Sequence, residues 1–172
     1  MSRLIVLVFV LLSILPSAFA ENTYILGAGD KVEIKVYGQD DLSLNALLGN
    51  SGTINYPFLG DIKVSGLTIK QLETLIFTGL KGDYLIRPNV YVQVVEYRPF
   101  YIHGEVKKPG GYPYQPGMTV NQAIALAGGL TERASEEKIT LYKELNKKQS
   151  LKGTLNSLVA PGDTITIEQR FF

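Results

Sequence analysis

"NVYVQVVEYRPFYIHGEV", Asn89 to Val106, places a proline between two alternating runs. Val90, Val92 and Val94 share one face of the first run, and Tyr91, Gln93, Val95 and Tyr97 share the other, the period-two pattern of a strand. Apolar residues on both faces suggest a central strand, or one whose second face is held for a neighbour. Pro99 has no N–H to give to a ladder, so pairing should end or bend at Tyr97–Phe100. A second strand, "FYIHGEV", follows at once. The chain is therefore expected to divide here, with a comparable set of strands and one helix on each side.

Before the division, Val32, Ile34 and Val36 alternate with Lys31, Glu33 and Lys35, giving a strand with one dry and one wet face. Asn50-Ser51-Gly52 signals a turn, after which Ile54, Tyr56 and Phe58 alternate; Ile62 and Val64 mark another short strand. Gly-containing turns between such strands predict an antiparallel meander. At Thr68 the period changes: Ile69, Leu72, Leu75, Ile76 and Leu80 fall on one face of a helix, which Thr68 and Gln71 would open as a capping box and Gly82 would end.

Beyond the division, Lys107 to Gly111 ("KKPGG") reads as a turn, "GYPY" as the start of a strand, and Pro116-Gly117 as its close. Thr119 and Gln122 form a second capping box before a helix over Val120 to Ala127, ended by Gly128-Gly129. Lys138 to Lys143 is a strand, and Pro161 to Phe172 a turn with a last strand. The expectation is an α+β chain of two small units, each with about four strands and one helix, the second β-grasp-like. "GDKVEI" (Gly29–Ile34) and "GDTITI" (Gly162–Ile167) echo each other, with an Asp placed to bond the local backbone at a strand entrance; shared turn chemistry explains this better than duplication.

The chain opens with Arg3, an apolar run over Leu4 to Leu15 and the small-x-small sequence Ala18-Phe19-Ala20, the layout of a secretory signal peptide cleaved after Ala20. The run is short for a membrane span, which needs roughly 20 apolar residues. Residues 1–20 are therefore expected to be a signal peptide, 21–97 a first domain and 98–172 a second. Without Arg3, the 17 basic residues become 16 against 16 acidic ones. That balance argues against nucleic acid, whose binders carry a basic excess. The chain has no cysteine, which excludes thiol catalysis, thiolate metal sites and a lipid anchored on cysteine.

Chemistry is sparse. His103, the one histidine, sits in strand alternation and reads as a surface or hydrogen-bonded strand residue. Carboxylates for glycoside cleavage would come from Asp30, Asp40, Asp41, Asp61, Asp83, Glu96 or Glu105, but most lie beside glycine or in turns. "GAGDKV" (Gly27–Val32) lacks the third glycine of a dinucleotide fingerprint and precedes a strand. No enzyme, metal or cofactor is expected. Surfaces remain: Tyr101, Tyr112 and Tyr114, with Lys107 and Lys108 at a loop tip, suit contact with a glycan or a partner.

"YILGAGDKVEIKVYGQDDLS", "SGTINYPFLGDIKVSGLTIKQLETLI" and "RPNVYVQVVEY" resemble the N-terminal domain of bacterial polysaccharide export proteins. "HGEVKKPGGYPYQPGMTVNQAIALAGGLTERA" resembles the soluble-ligand-binding β-grasp (SLBB) domain that follows it in that family. The resemblance places the family's turn-shaping positions at Gly29, Asp30, Gly52, Gly66, Pro88, Gly104, Pro109, Gly110, Gly128 and Gly129. It implies a periplasmic, non-enzymatic, ring-forming homo-oligomer that carries capsular or biofilm exopolysaccharide, beside an inner-membrane polysaccharide co-polymerase. Two departures are expected: no lipoprotein, for want of a cysteine, and no C-terminal pore helix. A separate outer-membrane β-barrel porin would then supply the exit, with Phe171-Phe172 as a docking point or the edge of the β-grasp core. The alternative is a monomeric periplasmic module for a soluble sugar or small ligand.

Overall fold

The computed structural model describes residues 24–144 and 150–170. The expected signal peptide, its cleavage after Ala20 and the terminal Phe171-Phe172 lie outside the described residues. The fold is α+β. Its buried apolar side chains form two clusters, one drawn from residues 26–92 and one from residues 100–167. Among the described residues, no helix is long and apolar enough to cross a membrane.

In the first unit, β1 (Lys31–Val36) buries Val32, Ile34 and Val36 as the alternation requires. It pairs antiparallel with β2 (Leu44–Leu47) on one side and β5 (Val90–Glu96) on the other. The β3 (Thr53–Tyr56) and β4 (Gly60–Lys63) strands form a separate hairpin, so the strands are antiparallel but not one meander. Five strands form where about four were expected. The sequence around β2 carries little strand propensity of its own; pairing to β1 fixes it. Helix α1 (Ile69–Leu80) buries Leu72, Ile76 and Leu80. Both halves of its capping box form: the Gln71 N–H donates to Thr68 Oγ1 (3.1 Å), and the Thr68 N–H donates to Gln71 Oε1 (2.8 Å).

Two expectations need correcting here. The Ile54–Tyr56–Phe58 alternation stops at Tyr56, because Pro57 opens a three-residue hairpin loop. Phe58 sits there at φ 63°, exposed, with its ring 4.9 Å from that of Tyr84. And of the two alternatives for β5, the central strand fails while a face held for a neighbour stays open. The strand lies at the edge of the order β2-β1-β5, where Glu73 of α1 accepts the Val92 N–H at 3.2 Å. A helix carboxylate thus blunts one donor of an edge that would otherwise be open to another strand.

The second unit is a five-stranded mixed sheet in the order β7-β6-β10-β8-β9. Its strands are β6 (Phe100–Gly104), β7 (Gly110–Tyr112), β8 (Ala134–Tyr142), β9 (Ser150–Gly153) and β10 (Thr164–Gln169). Only β6 and β10 run parallel, which places the first and last strands side by side at the centre, as in a β-grasp. Helix α2 (Val120–Leu126) is capped by its box and lays Val120, Ala123 and Ile124 against the sheet; Ala127, expected inside the helix, is its C-cap. Strand β9, three of whose four residues are exposed, was not legible from local pattern.

Gly104 shows why glycine is needed at the end of β6. Its φ is +89°, and a Cβ would stand 2.0 Å from the Ile167 carbonyl oxygen of β10. The neighbouring strand passes too close for any side chain. Just beyond, the two Gly-rich turns meet. The Lys107 N–H donates to the Gly129 carbonyl (3.0 Å), the Lys108 N–H to that of Ala127 (2.9 Å) and the Thr131 N–H to that of Glu105 (3.1 Å).

Candidate functional site

Only three polar or charged residues are buried among the described residues: Asp30, Arg98 and Asp163. All three belong to one region, where the two units meet. Gly27-Ala28-Gly29-Asp30 and Ala160-Pro161-Gly162-Asp163 are turns of the same build. In each, the Asp N–H donates to the carbonyl three residues back, at 3.2 Å in the first and 3.1 Å in the second. The third residue is glycine with positive φ, +93° at Gly29 and +82° at Gly162, as a type II turn requires. Each carboxylate then accepts the N–H of the turn's first residue, Gly27 at 2.9 Å and Ala160 at 2.8 Å. The two echoing sequences build the same turn.

The Asp30 carboxylate is wholly buried and accepts four hydrogen bonds. Besides Gly27, the donors are the Tyr24 hydroxyl (2.5 Å), the Arg98 N–H (2.9 Å) and Arg98 Nη1 (2.8 Å). Arg98 Nη1 also donates to the Tyr24 hydroxyl oxygen at 2.7 Å, and Nε donates to Glu144. One side chain from the segment between the units therefore binds a turn of the first and the end of β8 in the second. Burial works against the Arg98 charge, but Asp30, then Tyr24 and Glu144, outweigh it and hold the guanidinium above its ordinary value. Burial first, and the bond to Asp30 second, push the Tyr24 hydroxyl far up. A buried carboxylate with this many donors exchanges its lost hydration for fixed partners.

Glycine makes room for this clasp. A Cβ on Gly27 would stand 2.8 Å from Arg98 Nη1, one on Gly29 3.0 Å from Arg98 Cβ, and one on Gly162 2.1 Å from Glu144 Oε2 and 3.0 Å from Arg98 Nε. The backbone of the first turn thus closes directly on the arginine, and that of the second on the Glu144–Arg98 pair.

Beside the clasp lies a cleft of about 490 Å³. Its walls include Tyr97, Tyr114, Pro116 and Leu158, and its polar groups are Arg98, Glu144, Lys143 and Asp163. Tyr24, Tyr97 and Tyr114 form an edge-to-face series across the junction, with ring centroids 5.0 and 5.4 Å apart. Burial, then Tyr114 and Asp30, raise the Tyr97 hydroxyl above its ordinary value. Lys143 Nζ donates to Asp163 Oδ2 at 2.5 Å. Among the described residues, no three His, Asp or Glu side chains converge as a metal would require.

The residues singled out from sequence are dispersed by the fold. Gly29 and Asp30 lie in the clasp, and Tyr114 lines the cleft. Gly52 and Gly66 shape the turns flanking β3 and β4: Gly52 accepts the Val64 N–H at 2.8 Å, and Gly66 donates to the Leu26 carbonyl at 2.9 Å. Pro88 is buried just before β5. Gly104, Gly128 and Gly129, with Lys107 and Lys108, belong to the paired turns at the far end of the β-grasp sheet, and Pro109 and Gly110 are exposed there. Tyr112 stacks on Phe100, with centroids 6.0 Å apart, and donates its hydroxyl to the Lys108 carbonyl. Tyr101 is exposed on the opposite sheet face, over Gly111. His103 is exposed beside the Thr166 hydroxyl, 3.1 Å away. Sequence reading passed over Arg98, Glu144 and Tyr24. The available signal for Arg98 was an arginine next to a proline in a segment otherwise read only as a boundary.

Comparison with known proteins gives two matched regions. Residues 19–95 match the family model of polysaccharide biosynthesis/export proteins, and residues 99–154 match the SLBB domain. Among similar curated proteins is the exopolysaccharide production protein ExoF of Rhizobium meliloti, 36% identical over 123 residues, covering 63% of this chain and 29% of that protein. The polysialic acid transport protein KpsD of Escherichia coli is 30% identical over 158 residues, covering 86% of this chain and 28% of that protein. The EPS I polysaccharide export outer membrane protein EpsA of Ralstonia nicotianae is 27% identical over 164 residues, covering 88% and 42%. The matched stretch spans less than half the length of each relative.

Proposed function

The chain belongs to the polysaccharide biosynthesis/export family, carrying its export domain and an SLBB domain in that order, and from this premise we propose that it is a non-enzymatic, periplasmic component of an exopolysaccharide or capsule export machine. The two domains divide at residues 97 and 98. Copies of the chain assemble into a ring-like conduit. Polymer reaches it from an inner-membrane co-polymerase and leaves through an outer-membrane barrel supplied by another protein. The described strands form open sheets of three, two and five strands rather than a closed barrel.

The observation that carries this reading is the clasp at Arg98. It commits Asp30 and Arg98, two of the three buried polar or charged residues among those described, to holding two family-matched domains together, whereas no nucleophile–base pair is assembled there among the described residues. A subunit that must repeat in a ring needs a defined angle between its parts, and buried, mutually bonded charges set such angles. Deleting the gene in its host and assaying polysaccharide in periplasm and medium tests the proposal. Loss of surface polymer, restored by the intact gene, is the expected result; unchanged surface polymer would sink it.

The cleft favours a second reading, a monomeric module that captures a soluble sugar. Sedimentation of the purified protein separates the two: a single small species supports the module, a ring-sized species the conduit.

A further inference from the structure

We propose that the cleft between the two units binds an uncharged pyranose segment of the exported polymer, through Arg98, Glu144 and the rings of Tyr97 and Tyr114. This inference rests on the export reading and adds to it a place of contact and a class of sugar. The volume of about 490 Å³ lies within the range of small-molecule sites, roughly 300–1,000 Å³. Its composition is that of a site for a ligand with apolar faces and polar edges. Tyrosine rings and Pro116 present apolar surface, and Leu158 is 56% exposed at the cleft. A pyranose offers C–H faces to such walls and hydroxyls around its rim.

The charged groups retain capacity for those hydroxyls. Glu144 gives Oε2 to Arg98; among the described residues nothing bonds its other oxygen. Arg98 commits Nε and Nη1, while Nη2 bonds no acceptor among the described residues. A carboxylate oxygen and a guanidinium nitrogen that no described residue bonds suit neighbouring hydroxyls, one donating and one accepting. An aromatic side chain in the same place would desolvate both groups and pair neither.

The local charge selects against acidic sugars. Among the described residues, Asp30, Glu144 and Asp163 pair with Arg98 and Lys143 alone, three carboxylates against two cations, and each cation already touches a carboxylate. A sialic or uronic carboxylate entering here would meet a surplus of negative charge, whereas a hydroxyl would not.

The test is a titration of the full isotope-labelled chain, following backbone amide shifts. The probes are short oligosaccharides cut by partial acid hydrolysis from the polysaccharide its host secretes, with oligosialic acid alongside. Neutral fragments should give saturable shifts around Arg98, Tyr114, Glu144 and Ala160, and oligosialic acid should not. Tyr114→Ala and Glu144→Gln should each weaken binding about tenfold, the loss expected when a hydrogen bond to a charged group or an aromatic contact is removed. Tyr101→Ala, on the far face, should leave it unchanged, and thermal melts establish that each variant is folded. Shifts centred on Tyr101, equal binding of oligosialic acid, or no saturable shift would overturn the inference. If gene deletion abolishes export but the cleft fails this titration, only the inference falls; if deletion leaves export intact, the export reading itself falls.

Discussion

The two Gly-Asp turns share backbone geometry and carboxylate bonding, yet they do different things because their cations come from different places. Asp163 takes Lys143 from the end of β8, within its own unit, and the lysine side chain keeps 33% of its exposure. Asp30 takes Arg98 from the segment joining the units, with side-chain exposures of 0% and 8%. Local sequence builds the turn, and both turns lie against Arg98; the reach of the partner decides whether the carboxylate bonds within its own unit or across the junction. A solvated lysine can turn to water when its partner is lost. A buried guanidinium cannot, so the first turn carries far more of the molecule's arrangement than the second.

The largest effect should come from Asp30→Ala. Removing one partner of a buried pair leaves an uncompensated charge, a loss of about 3–5 kcal/mol. Urea unfolding should show the midpoint falling and a single transition separating into two as the units uncouple. Because Asp30 and Arg98 act as one group, Asp30→Ala combined with Arg98→Met should lose less than the two single losses together. Additive losses would mean that the pair is not the clasp.

Asp163→Ala should cost less, about 1–3 kcal/mol, for the unmet Ala160 N–H and the lost lysine bond. The transition should remain single. A cost equal to that of Asp30→Ala would break the comparison, since it would make the origin of the cation irrelevant.

Much of this arrangement was legible in residue order, and the rest was hidden for identifiable reasons. Alternation located β1 and β5, capping boxes opened both helices, and the Asp-after-Gly pattern foretold the carboxylate-to-backbone bonds of both turns. Those features are decided within a few residues. The pairing of Arg98 with Asp30 spans 68 positions, and no local rule connects them. Strands β2 and β9 exist because a neighbour pairs with them, so their own sequences say little. Phe58 continued an apolar alternation that Pro57 had already ended. Tyr114 was singled out for contact with a glycan or partner and does line the cleft, but its companions Tyr101 and Tyr112 were placed by strand parity on other surfaces.

The smallest effect sharpens the comparison most, because among the described residues only the first turn holds a hydroxyl against its carboxylate. Tyr24 donates to Asp30, and its proton is held far more tightly than at the ordinary tyrosine value of 10.0, through burial first and that bond second. A group whose pKa is raised on folding stabilises the fold fully below its unfolded value. Above 10.0 the unfolded chain gives up the proton first, so stability falls as pH rises. Tyr56, pushed up to about 12 by burial and donating to the Leu42 carbonyl at 2.6 Å, adds a similar loss over a narrower range. Tyr24→Phe should cost about 1 kcal/mol at neutral pH for its hydrogen bonds. It should also make the alkaline decline above 10.0 shallower, whereas Tyr56→Phe should flatten it only up to about 12. Urea midpoints measured across that range decide the matter. An alkaline limb that Tyr24→Phe leaves unchanged would mean the hydroxyl is no part of the clasp, and the two turns would then differ in their cations alone.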